Sequence, residues 1–259
     1  MNKFIFILEF KALLKTLSIW LLILCGFFIV SMLLYPTYIA NKENITIIFN
    51  SYSDLTLDIL GINLSTCFTP VGYYTIIFKY ITLLSAIEAS ILGTKVIIND
   101  CKNQFLYTKP ITRNKILTSK LCALLLCLLI TNLVYQITSC LLMFFLTGVD
   151  YKALLLINLG LLFFQITFSS IIMMIASFIK NTNNITIISF ISIVIFYTLS
   201  IIEEQYNNII LRYINPFSYF KASDILENGN YSIGFIFATI FIIFYMINFS
   251  YIHNNELEM

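Results

Sequence analysis

The carboxylates, lysines and cysteines of this chain are the residues whose types and spacing bear on chemistry. Adjacent Glu203 and Glu204 have the form of a paired-glutamate hydrolase centre, which expects an Arg four residues beyond its second Glu. Asn208 stands there, and the His-containing motifs such a centre needs are missing, because His253 is the chain's single histidine. The pair therefore reads as acidic residues at a helix end facing outward. One histidine also rules out H-E-x-x-H zinc chemistry. Of the six cysteines, Cys25, Cys122, Cys127 and Cys140 lie in apolar stretches, while Cys67 and Cys101 lie in connecting ones. No C-x-x-C pair or Cys/His cluster joins them, so neither a disulfide framework nor a metal site is indicated. No G-x-x-x-x-G-K-[ST] occurs, so this chain does not bind nucleotide through a P-loop. No catalytic, cofactor-binding or metal-ligating set is expected, and the chain reads as a non-enzyme.

Three charges remain in an unusual place. Lys79, Glu88 and Lys95 fall inside one apolar run, residues 71–98. Charges at bilayer depth are costly and by default mark either a path or a pairing. A helix over this run would be about 40 Å long at 1.5 Å per residue. Lys79 then reaches the outer interface and Lys95 the inner one, which leaves Glu88 near mid-depth. Glu88 either lines a translocation path or pairs with a group on a neighbouring helix. Gln136, Asn158 and Gln165 read as interhelical hydrogen bonds.

The elements that must position these residues follow from composition. The 259 residues are 59% hydrophobic and only 11% charged, less than half the charge a soluble domain carries. This excludes a water-soluble globule, and a net charge of +2 gives no ground for a nucleic-acid partner. Six apolar runs are long enough to span a bilayer: residues 17–35, 71–98, 116–146, 153–178, 185–202 and 232–252. Many of them are rich in isoleucine. In lipid, however, runs of this length satisfy their own backbone only as helices, and the alternation of a β-barrel is absent. The expected fold is an all-α integral membrane protein, a single transmembrane domain over residues 1–259 with six transmembrane helices.

Six spans put both termini on one side. With the termini inside, the inner segments hold nine cations: Lys3, Lys11, Lys15, Lys102, Lys109, Arg113, Lys115, Lys120 and Lys180. The outer segments hold four: Lys42, Lys152, Arg212 and Lys221. The positive-inside rule thus predicts cytoplasmic termini and a multi-pass protein of the plasma membrane. Within residues 1–16, Phe6, Phe10, Leu13 and Leu17 share a helical face away from Lys11 and Lys15, as in an interfacial helix lying on membrane lipid. Tyr35, Tyr38, Tyr73, Tyr74, Tyr231 and Tyr251 fall near span ends, as aromatic belts do.

The inner segment between spans two and three sets Phe105, Leu106 and Tyr107 among charges. Pro110 ends any helix before it, and Thr112 is placed to cap the next. From the residues alone, this is either a short helix presenting apolar groups at the cytosolic surface or a positive-inside loop dipping into lipid.

The run Phe105-Leu106-Tyr107-Thr108-Lys109-Pro110-Ile111-Thr112-Arg113, with Lys120 beyond it, resembles the corresponding loop of ABC-2 type transporter permeases. The stretch Ile214-Asn215-Pro216-Phe217-Ser218-Tyr219-Phe220 is similar to that family's Pro-aromatic segment between spans five and six. The Glu-x-x-x-Gly-Thr that often precedes the family's Leu stretch is here Asp100 with Gln104-Phe105, without the Gly-Thr pair.

The resemblance implies a cytosolic coupling helix carrying Gln104, Phe105, Leu106, Tyr107, Thr108, Lys109, Pro110 and Arg113, docked on a separate ATP-binding subunit. It also implies a re-entrant segment containing Pro216, Phe217 and Tyr219. The chain would then be half of an exporter's pathway, paired with a second copy or a related permease. ATP and magnesium would be bound by the partner ATPase and not by this chain. The rival readings are a self-contained secondary transporter or channel using Glu88, and a membrane assembly or immunity protein that moves no solute. A path of Ile, Leu, Phe and small polar residues suits amphipathic or lipid-like cargo.

Overall fold

In the computed structural model, residues 2–102, 113–179, 182–206, 208–231, 236, 239, 240 and 243 are described. Helix α1, Lys3–Leu33, opens where the Asn2 side chain accepts a 3.0 Å hydrogen bond from the Phe4 amide. It runs without interruption to Leu34, beyond which Pro36 starts the short α2, Tyr35–Ala40, at a first-turn position that tolerates proline. Two further short helices, α3 (Lys42–Asn50) and α4 (Asp54–Leu60), follow. Gly61, at φ 72°, closes α4 in the left-handed conformation that glycine adopts at little cost.

Four long helices come next. Helix α5, Pro70–Lys102, starts on a proline, and α6 spans Arg113–Phe144. In α7, Tyr151–Ser177, the Asp150 side chain accepts from the Lys152 and Ala153 amides at 3.0 and 3.1 Å. Helix α8 spans Thr182–Tyr206. The chain then folds back through α9 (Ile209–Ile214), a single 3-10 turn (Pro216–Ser218) and α10 (Ala222–Asn228). No strand occurs among the described residues.

Five stretches among the described residues are long and apolar enough to cross a membrane: Lys3–Ala40, Pro70–Ile97, Lys115–Phe144, Tyr151–Ala176 and Asn184–Tyr206. The sixth predicted span, 232–252, lies almost wholly outside the described residues. The boundary expected at residue 16 is corrected. Residues 3–33 form one helix because nothing between them breaks it, and its buried residues in this part are Ile5, Glu9, Leu13, Thr16 and Leu17, so Leu13 and Leu17 of the face read as lying on lipid are packed against protein. At about 46 Å, α1 is longer than the hydrocarbon layer it would cross.

Helix α5 is the centre of the bundle, packed most extensively on α7 and also on α1, α6, α8 and α10, while α1 lies along α6. Gly93 permits the closest approach: a Cβ there would sit 3.1 Å from the Ser169 carbonyl oxygen of α7. The core between the helices is aromatic, with Phe28, Tyr74, Phe78, Tyr135, Phe164 and Phe168 all buried. The outer faces carry Leu22, Val30, Leu133, Ile137, Ile187 and Val194, all exposed, an apolar surface too extensive for water. We call the end of the bundle holding residues 36–70 and 208–231 distal, and the end holding the α1 N-terminus proximal.

Candidate functional site

Polar side chains gather in three places, each built by helices that bring together residues remote in sequence. The first is at the middle of α5. Glu88 is buried, and its two carboxylate oxygens accept from Thr131 Oγ1 of α6 at 2.9 Å and Gln165 Nε2 of α7 at 2.8 Å. Asn132 Nδ2 donates to Gln165 Oε1 at 2.5 Å and to the Leu128 carbonyl at 3.0 Å. Three spans are thereby joined through one carboxylate. Two or three turns toward the distal end lies a second polar group. There the Tyr74 and Tyr135 hydroxyls meet at 2.9 Å, Tyr74 donates to Asn158 Oδ1 at 2.6 Å, and Asn158 Nδ2 donates to Ser139 Oγ at 2.7 Å. Polar groups in an apolar interior are tolerated when paired in this way.

The second place is proximal. Glu9 of α1 and Lys120 of α6 face each other at 3.3 Å, with side chains 0% and 1% exposed. Nearby, Lys95 Nζ donates to Thr16 Oγ1, joining α5 to α1 as well. Asn2 N donates to Ser119 Oγ at 2.7 Å. The N-terminal part of α1 is therefore held against the bundle by polar contacts.

The third place is distal and open. Glu203 is buried and takes hydrogen bonds from Lys221 Nζ at 2.9 Å and Ser218 Oγ at 3.0 Å. Glu204 pairs with Lys79 at 2.9 Å and lies 3.4 Å from Lys221. Lys79 also donates to the Ile59 carbonyl at the end of α4. Arg212 and Asp224, both roughly two-fifths exposed, pair at 2.5 Å. These groups line a cavity of about 550 Å³ with Phe78, Tyr197, Phe217 and Phe220 in its walls.

The segment over the vestibule is held by aromatic packing. Phe217 lies 5.0 Å from Phe164 and 5.7 Å from Phe168, ring centre to ring centre. Phe220 stacks on Phe163 at 5.8 Å and rests on Gly160, where a Cβ would come within 3.2 Å. The Asn215 side chain donates to the Phe196 carbonyl at 2.9 Å and accepts from the Phe217 amide at 3.2 Å. Tyr219 donates to the Tyr213 carbonyl, and burial pushes its phenol up to about 12.

Comparison with known proteins bears on the whole chain. A family model described as ABC-2 family transporter protein matches residues 4–252. The chain belongs to the ABC-2 transporter family. No curated protein and no solved structure matches it. The match begins in α1, passes beyond α10, and takes in the stretches at 103–112 and 232–252 as well.

In this ABC-2 family protein the residues singled out by sequence fall in different places. Gln104, Phe105, Leu106, Tyr107, Thr108, Lys109 and Pro110 lie outside the described residues, and Arg113 opens α6. Glu88 sits within the three-span junction, together with Gln165. Asn158 belongs to the tyrosine group, and Gln136 takes part in neither. Pro216, Phe217 and Tyr219 form the folded-back segment over the vestibule.

The sequence reading missed Glu9, Thr131, Asn132 and Ser139, and it placed Tyr74 wrongly. Glu203 and Glu204 lie at a helix end, the last turn of α8, and their ion pairs, which spacing did not reveal, form because the fold-back carries Lys221 onto them. Tyr74 is not part of an aromatic belt. It is fully buried, since it faces α6 and α7 from the first turns of α5. Tyr35, Tyr73 and Tyr231 likewise spend their hydroxyls on the carbonyls of Phe68, Ser31 and Leu156. The available signal was a polar or aromatic residue inside an apolar run, which marks inward-facing positions without naming their partners.

Proposed function

We propose that this chain is the membrane-spanning permease subunit of an ABC-2 type exporter of the plasma membrane, driven by a separate ATP-binding subunit. The observation that carries the reading is the family match over residues 4–252 in a chain with no P-loop sequence. ATP and magnesium act on the partner ATPase. The chain supplies half of the pathway, and a second copy or related permease supplies the other half. Both termini are cytoplasmic, the proximal end faces the cytosol, and residues 232–252 form a sixth span. The helix at residues 104–109 docks on the ATPase, and the Pro216 segment is re-entrant. Nucleotide-driven closure of the ATPases shifts a two-state arrangement of rigid helices, biasing which end of the pathway is open.

The structure supports this division of labour in two ways. The α5–α6–α7 junction at Glu88 is densely hydrogen-bonded and suited to carrying motion as a unit. The proximal part of α1 is tied to α6 by the Glu9–Lys120 pair, so displacement of the 103–112 connection would be passed to both helices. Copurification of the tagged chain from its native membranes, with identification of what accompanies it, tests the reading. An ATP-binding-cassette ATPase is expected in stoichiometric amount. A chain that purifies alone and moves solute without ATP would overturn it in favour of a secondary transporter.

A further inference from the structure

We propose that the distal vestibule binds a compact amphipathic cation, its apolar body against Phe78, Phe217 and Phe220 and its positive group between Asp58 and Glu227. The proposal deepens the permease reading and rests on it for the meaning of binding, as a substrate of the pathway. The cavity, about 550 Å³, has the size of pockets that enclose drug-sized molecules, with an aromatic wall and a few polar groups.

Its charge selects the ligand. Among the described residues, five carboxylates and three cations line it, a formal charge of −2. The three cations are each matched with a carboxylate in the ion pairs described above. Asp58 and Glu227 are the two left over. Among the described residues neither forms an ion pair, and Glu227 accepts only from the neutral Asn63 amide. Both are exposed at the rim, where they can meet an arriving charge without prior desolvation. An anion would be repelled by the surplus, and a neutral apolar molecule would leave it unused. A cation also gains from the electron-rich ring faces of the wall.

The test uses the full chain, with whatever subunits copurify, in phosphatidylcholine nanodiscs. Tetraphenylphosphonium serves as probe and tetraphenylborate as its anionic counterpart of equal shape. Expected is saturable phosphonium binding above that of empty discs, weakened roughly five- to tenfold by the double variant Asp58→Asn, Glu227→Gln, and no borate binding above empty discs. Both positions are exposed, so the variant is expected to fold normally, and an unchanged melting curve checks this. A second arm adds phosphatidylethanolamine: competition with the probe assigns the natural cation to a lipid headgroup, and no competition assigns it to a free solute.

The proposal is overturned if wild type shows no saturable phosphonium binding, if the double variant binds undiminished, or if borate binds equally well. Binding without any copurifying ATPase would retain the site and remove the exporter reading. An ATPase partner without binding would do the reverse.

Discussion

Lys120 and Lys221 each stand beside a glutamate, but in very different surroundings. Lys120 is 1% exposed against a Glu9 that is 0% exposed, between two packed helices, whereas Lys221 is 18% exposed and faces the distal cavity. The proximal pair is enclosed between the helices, and removing one partner takes an opposite charge away from a group almost fully buried. The distal lysine has two glutamates within reach, a serine on one of them, and water beside it. One pairing therefore acts as a rivet between α1 and α6. The other is an arrangement with alternatives, as a region that opens and closes requires. The Glu88 junction belongs with the first kind, since Glu88 and its partners lie on three spans and are all buried.

This contrast ranks the expected effects of substitution. Glu9→Ala is expected to be the most damaging, because it removes the carboxylate that faces a 1% exposed Lys120 between packed helices. A loss of about 3–5 kcal/mol should appear as a large drop in melting temperature, and the double change Glu9→Leu, Lys120→Met should recover most of it. If Glu9→Ala melts like wild type, the rivet does not exist.

Glu88→Ala leaves the Gln165 amide without its acceptor, while the Thr131 hydroxyl keeps the Cys127 carbonyl at 3.2 Å. Hydrogen bonds between membrane helices contribute modestly, so a loss of about 1–3 kcal/mol is expected. Glu88→Gln keeps the shape and most of the bonding, and should stay within about 1 kcal/mol of wild type. Its thermal melt and its ATP-driven transport distinguish a structural junction from a transport carboxylate, since abolished transport with a normal melt would support the latter.

Lys221→Met should be milder, about 1 kcal/mol after allowance for water at the cavity, and its cost should shrink as salt is raised. A loss as large as that of Glu9→Ala would erase the distinction between the two ends. Smallest is Arg212→Ala, whose pair with Asp224 is some two-fifths exposed. It is expected to change stability by less than about 1 kcal/mol, measured against wild type by denaturation at low and high salt.

The same contrast explains what the sequence reveals. Apolar runs long enough for a bilayer appear whatever they pack against, so the described spans overlap the expected ones; the first, read as 17–35, is part of Lys3–Ala40, and the fifth, read as 185–202, is Asn184–Tyr206. Local signals also carry through. Pro70 begins α5, Asp150 caps α7, and Pro216 starts the 3-10 turn.

Partners across the bundle are a different matter. Helix α1 is apolar on nearly every face, so spacing alone does not separate the residues that face lipid from those that face the bundle: Leu13 and Leu17, read as lying on lipid, are buried. Glu9 is buried with them, and its contact with Lys120 depends on how α1 packs along α6. The Glu203–Lys221 pair was concealed for another reason. It depends on the chain folding back after α8, a tertiary event whose local trace is Asn215-Pro216-Phe217. Glu88 was legible as a mid-span carboxylate, while Thr131, Asn132 and Gln165 became its surroundings only when α6 and α7 were placed.

The division between a riveted scaffold and an adjustable distal end has meaning for transport only if force enters at the proximal connection. The most direct measurement is copurification of the ATPase with the variant Leu106→Asp, Tyr107→Asp, alongside wild type and a melting curve for each. The account predicts that the variant melts normally, loses the ATPase and loses ATP-driven transport. A variant that keeps both the ATPase and transport would contradict it.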